Sequence, residues 1–153
     1  WQSYCDARSR VQCAVDALTG GQSVGGGSDV CGGVRALLDG QRKGLVDHGL
    51  RQVGAVASMH RNLLDASLPF DTRHARLCEL NTIEQAMNIC ATNIVRDAWS
   101  RGQSLRVHAW IYGLEDGHLH DLGLDVDSLD AAEARYRRAL QTLTERWQSE
   151  QAA

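Results

Sequence analysis

The chain has 153 residues, 43% hydrophobic and 23% charged, which are the proportions of one folded domain rather than two. A net charge of −3 supplies no electrostatic footprint for nucleic acid or for an anionic membrane surface. No apolar run approaches the roughly 20 residues that a spanning helix needs, and the opening WQSYCDARSR lacks the apolar stretch of a secretory signal.

That opening also lacks an initiator Met, so the chain reads as a fragment or a processed form. Five cysteines are present, Cys5, Cys13, Cys31, Cys78 and Cys90. An odd count without framework spacing points to reduced thiols and a cytoplasmic protein rather than a disulfide scaffold. Buried and inert is the ordinary fate of such a thiol.

In chain order, QSYC is a short strand candidate and RVQCAVDAL a short helix. QSV has strand character but runs straight into Gly25, Gly26 and Gly27. Each Gly inside a regular element costs roughly 0.5–1 kcal/mol against Ala, so this strand reads as weak and short. GGVRALLDG is a short helix, and KGLVDHGLRQVGAVASMHRNLLDA a longer one weakened by Gly49 and Gly54.

The clearest helix runs from Asp71 to Trp99, between the breaker Pro69 and the stop at Gly102. Its stripe is Leu77, Leu80, Ile83, Met87, Cys90 and Ile94, at steps of three and four. SLRVHAWIYGL then reads as a strand, EDG as a turn and HLHDLGL as the returning strand of a hairpin. A last helix spans Ser128 to Ser149, capped by Asp127 or Ser128, with Leu129, Ala132, Tyr136, Leu143 and Trp147 on one face. The sum is one α/β domain over 1–153, a small mostly parallel sheet flanked by helices and closed by a C-terminal hairpin and helix.

Three blocks resemble the β-class carbonic anhydrases. They are CGGVRALLDG, GLVDHGLRQV and the long RLCELNTIEQAMNICATNIVRDAWSRGQSLRVHAWIYGLEDGHLHDLG, and the likeness covers nearly all of Val11 to Ser128. The resemblance implies zinc-dependent, reversible hydration of CO2 to bicarbonate, a homo- or hetero-oligomer with sites at the subunit interface, and no membrane or nucleic-acid partner. Zinc with three protein ligands and an open position brings the pKa of its water to about 7.

The family holds zinc through C-x-D-x-R and H-x-x-C. Cys31, followed by Gly32 and Gly33, matches the second motif, but Ser28 stands where its His belongs. YCDAR resembles the first motif with a spacer missing, which makes Cys5 and Cys31 the candidate metal ligands and Asp6 and Arg8 the candidate catalytic pair. Neighbouring side chains of an extended segment point to opposite faces, so Cys5 and Asp6 do not converge as the family's pair does. A strand that the family carries between this motif and the following helix is also absent. Two readings follow: a zinc enzyme with an impaired site, or a non-catalytic, partner-binding subunit of the same fold.

Other groups have plainer roles. His118 and His120 share a face and can hold a metal, but read first as an exposed edge beside a turn. His108 reads as a hydrogen-bonded structural residue in the strand core, with Trp110 and Tyr112 as packing residues on its face. RYRR, Arg135 to Arg138, is a solvated helix face. The GGG segment has no Lys-Ser/Thr ending, which excludes a phosphate-cradling P-loop.

Overall fold

The structure, a computed structural model, describes Val15 and residues 21–29, 31–40 and 47–152. In chain order the elements are β1 (Gln22–Ser28), α1 (Gly32–Leu38), α2 (Asp47–Met59), α3 (Phe70–Cys90), α4 (Asn93–Ser100), β2 (Arg106–Tyr112), β3 (Leu119–Val126) and α5 (Leu129–Ala152). Among the described residues the sheet has three strands in the order β1-β2-β3. β1 runs parallel to β2, and β2 antiparallel to β3, so the described sheet is small and mixed, its antiparallel pair being the expected C-terminal hairpin. The QSYC strand and all of the RVQCAVDAL helix except Val15 lie outside the described residues.

α3 is the central beam. Its Leu77, Leu80 and Ile83 are fully buried, against Val107, Ala109 and Ile111 of β2. α5 packs beside it over Leu122, Leu124 and Val126 of β3 through Ala132, Ala139, Leu143 and Trp147. Alternation along β2 is what permits this. Val107, Ala109 and Ile111 are buried while Arg106 and Tyr112 are exposed, the period-two pattern of a strand with one covered face.

The glycine run does not end the strand. β1 continues through Gly25, Gly26 and Gly27 to Ser28, in register with Ala109 through Tyr112 of β2. A Cβ on Gly25 would lie 2.9 Å from Ala86 Cβ, and one on Gly27 would strike Thr82 Oγ1. Gly26 points the other way, into open space. Glycine at alternate positions is therefore what lets the α3 backbone lie directly on β1, and this close approach offsets the intrinsic weakness of the strand.

The helix expected from Asp71 to Trp99 is two helices. Ala91 closes α3, and Thr92 turns extended (φ −71°, ψ 148°) as the N-cap of α4. The Thr92 hydroxyl donates to Ile89 O at 2.7 Å and accepts from Val95 N at 3.5 Å, serving both helix ends. The helix expected through Ala66 stops at Met59 and gives way to turns. α5 begins as expected, with Ser128 Oγ accepting from Ala131 N at 3.4 Å, and extends past Ser149.

The hairpin forms as expected, with a register shift between His108 and Trp110. His108 does not have the hydrogen bond expected of it. It lies half-buried on the sheet face away from α3, its Nε2 is buried without a partner, and its Nδ1 is 3.9 Å from Asp125 Oδ1.

Candidate functional site

β1 delivers the chain to the loop that carries Cys31. Asp29 anchors the near side of that loop. Its backbone N–H donates to Tyr112 O at 3.1 Å, and its carboxylate accepts from Leu114 N at 3.1 and 3.2 Å, fastening the end of β1 to the β2–β3 turn. Cys31 follows as the extended residue ahead of α1 (φ −81°, ψ 113°), half-buried and not bonded in a disulfide.

α3 holds the far side. His74 and Cys78 are four residues apart and so share one helix face, which is turned to Cys31. The His74 ring donates from Nε2 to Cys31 O at 3.1 Å, an oxygen that also accepts from Arg35 N at 3.0 Å. Cys78 Sγ lies 3.9 Å from the same His74 nitrogen and faces the backbone N–H of Cys31. His74 and Cys78 are both buried, at 5% and 2% exposure. Burial pushes the Cys78 thiol up to about 11, against the opposing pull of the Cys31 N–H, with the nearby Cys31, Asp29 and Glu79 adding to the rise.

The anchor continues outward. Phe70 stacks on His74 with ring centroids 6.3 Å apart, and the Arg35 guanidinium sits 5.2 Å above the Phe70 ring. The arrangement fixes the Cys31 backbone from two sides, while the residue as a whole is only partly buried.

Of the residues singled out from sequence, Cys31 is placed here and Ser28 closes β1 three residues before it. Cys5, Asp6 and Arg8 lie outside the described residues. Among the described residues no group of three or more His, Cys, Asp or Glu side chains is placed to hold a metal ion. The donor chemistry agrees, since an alcohol at Ser28 is a poor neutral-pH ligand beside a thiolate. The described residues thus supply one thiol toward zinc and do not by themselves fit it.

His118 and His120 are exposed, and Asp116 takes up His120 at 2.7 Å. Arg137 pairs with Glu133 on the outer face of α5, as a solvated run should. The contribution of His74 and Cys78 was missed in the sequence. Their i, i+4 spacing on the strongest helix was the available signal.

A carbonic anhydrase family model matches residues 3–119, more than half of the chain. The chain belongs to the β-carbonic anhydrase family. A carbonic anhydrase of Emericella nidulans is 36% identical over 95 residues, covering 62% of this chain and 42% of that protein. The structure of the Coccomyxa β-carbonic anhydrase in complex with acetazolamide superposes with a TM-score of 0.75 at 27% identity, covering 83% of this chain and 58% of that one. One of two tetrameric β-carbonic anhydrases of Sordaria macrospora gives 0.69 at 26% identity, covering 80% and 62%. The chain therefore spans less than two thirds of each of these relatives.

Proposed function

We propose that this β-carbonic anhydrase family chain has an impaired CO2-hydration site, its zinc ligand set depleted while its scaffold is kept. The observation that carries this reading is Ser28, at the end of β1 and three residues before Cys31, where the family motif has a histidine. The scaffold around Cys31 is intact by contrast, with Asp29, His74 and Cys78 all engaged. Cys5 and Asp6 are the remaining candidate donors and Arg8 the candidate partner of Asp6, in a motif that lacks the family's spacer.

The chain acts in an oligomer, homomeric or shared with a family member. The tetrameric Sordaria relatives support this, as do the exposed Tyr112, Leu114 and Leu119 around the hairpin tip. Among the described residues, Cys31, Cys78 and Cys90 are free thiols, which fits a reducing, cytoplasmic setting. In the non-catalytic alternative, the same scaffold serves as a partner-binding subunit.

Zinc per chain by elemental mass spectrometry, followed by stopped-flow CO2 hydration, tests the proposal. The expected result is zinc well below one per chain and hydration near the uncatalysed background. One zinc per chain with rapid hydration overturns it. Ser28→His, which returns the missing ligand type, raises zinc retention if Cys31 still faces the metal position.

A further inference from the structure

We propose that Cys31 and Cys78 form a thiol pair that a peroxide converts to a disulfide, linking the β1–α1 loop to α3. The inference rests on the reading of a zinc-depleted site, since a zinc-bound Cys31 thiolate would be shielded from oxidation.

The geometry brings the two residues together without the help of any third element. Cys78 Sγ is 3.9 Å from His74 Nε2, and that nitrogen is 3.1 Å from Cys31 O. The Cys78 thiol also faces the Cys31 N–H, and the two residues grip the same His74 ring nitrogen from either side. A disulfide between them requires Cα atoms about 4.4–6.8 Å apart.

The two thiols differ in access. Cys31 is half-buried at the head of α1, whereas Cys78 is 2% exposed. Peroxide therefore meets Cys31 first. Its sulfur attacks the peroxide oxygen, the O–O bond breaks, and Cys31 becomes a sulfenic acid while one water leaves. The Cys78 sulfur then displaces the sulfenic hydroxyl, which departs as a second water carrying the Cys78 proton, and the S–S bond forms. Two thiols are oxidised and one peroxide is reduced to two waters. Cys90 is just as buried as Cys78 but lies twelve residues further along α3, more than three turns from this pair.

The test starts from the purified, reduced full chain. Zinc is counted, the protein is titrated with hydrogen peroxide, and a digest cutting before Asp29 and after Arg35, Arg76 and Glu79 isolates Cys31 and Cys78 from the other cysteines. The expected result is little zinc, a loss of about 2 Da per chain, and a linked Cys31–Cys78 peptide that dithiothreitol separates. In Cys31→Ala, Cys78 remains a free thiol under the same titration.

Peroxide driving Cys31 to sulfinic acid with Cys78 still free overturns the pair and leaves the zinc-depleted reading standing. Linkage of Cys31 to Cys5 or Cys13 does the same. One zinc per chain, with both thiols inert until a chelator is added, overturns pair and reading together.

Discussion

Tyr136 on α5 donates its hydroxyl to Glu84 Oε1 on α3 across 2.5 Å, and the His60 ring, just past α2, reaches the same oxygen from Nε2 at 2.8 Å. One carboxylate oxygen thus ties three helices together in a part-buried site. Burial raises the Tyr136 pKa, and the Glu84 carboxylate beside it raises it further, so the phenol stays a donor throughout the neutral range.

Removing Glu84 should cost more than removing either donor. Glu84→Ala leaves His60 and Tyr136 without their acceptor and is expected to lose about 2–4 kcal/mol, against about 1–2 kcal/mol for Tyr136→Phe. Urea unfolding of both variants and of the combined Tyr136→Phe/Glu84→Ala closes a double-mutant cycle. A coupling below about 0.5 kcal/mol would mean that the two groups do not act together.

The glycines of β1 give a positional test. Gly25→Ala pushes a methyl against Ala86 of α3, contact with backbone included, and is expected to cost about 1–3 kcal/mol. Gly26→Ala, one residue on, meets nothing within 4 Å and gains the strand entropy that Gly gives up, so it should be neutral or slightly stabilising. Gly27→Ala strikes the Thr82 side chain instead, and Thr82→Ala should recover part of its loss. Equal thermal shifts for Gly25→Ala and Gly26→Ala would show that α3 does not lie on β1 in this way.

These glycines also show where the sequence was readable. Local composition argued against a strand, and only the approach of Ala86 and Thr82, some 60 residues away in sequence, makes glycine the fitting choice. The β2–β3 hairpin and α5 were legible because their periodicities and turn residues are local. The stripe from Leu77 to Ile94 was legible as apolar spacing, yet it hid the break at Thr92, since the spacing continues across two helices that meet end to end. At the site, Cys31 and the loss at Ser28 were visible in sequence, whereas the grip of His74 and Cys78 on Cys31 depends on the fold.

Thr92 should matter beyond its own helix. Thr92→Ala removes the acceptor for Val95 N and the donor to Ile89 O, with an expected cost of about 0.5–2 kcal/mol. Thr92→Ser keeps both bonds and should retain most of the stability. Thermal unfolding of the pair separates capping from packing, and an equal loss in both would assign the effect to the Thr92 methyl.

High pH should unfold this protein through its buried thiols. Burial raises Cys78 to about 11 and Cys90 to about 12, from an unfolded value of 9.0. Above pH 9 the unfolded chain releases these protons while the folded chain keeps them, so stability is full below the unfolded value and falls as pH rises toward the folded ones. Urea midpoints measured from pH 8 to 11 are expected to drop steadily across that window. Cys90→Ala, which lacks one of the two thiols, should start less stable because of its cavity yet decline less steeply. Identical slopes for the variant and the parent would assign the alkaline loss to other groups.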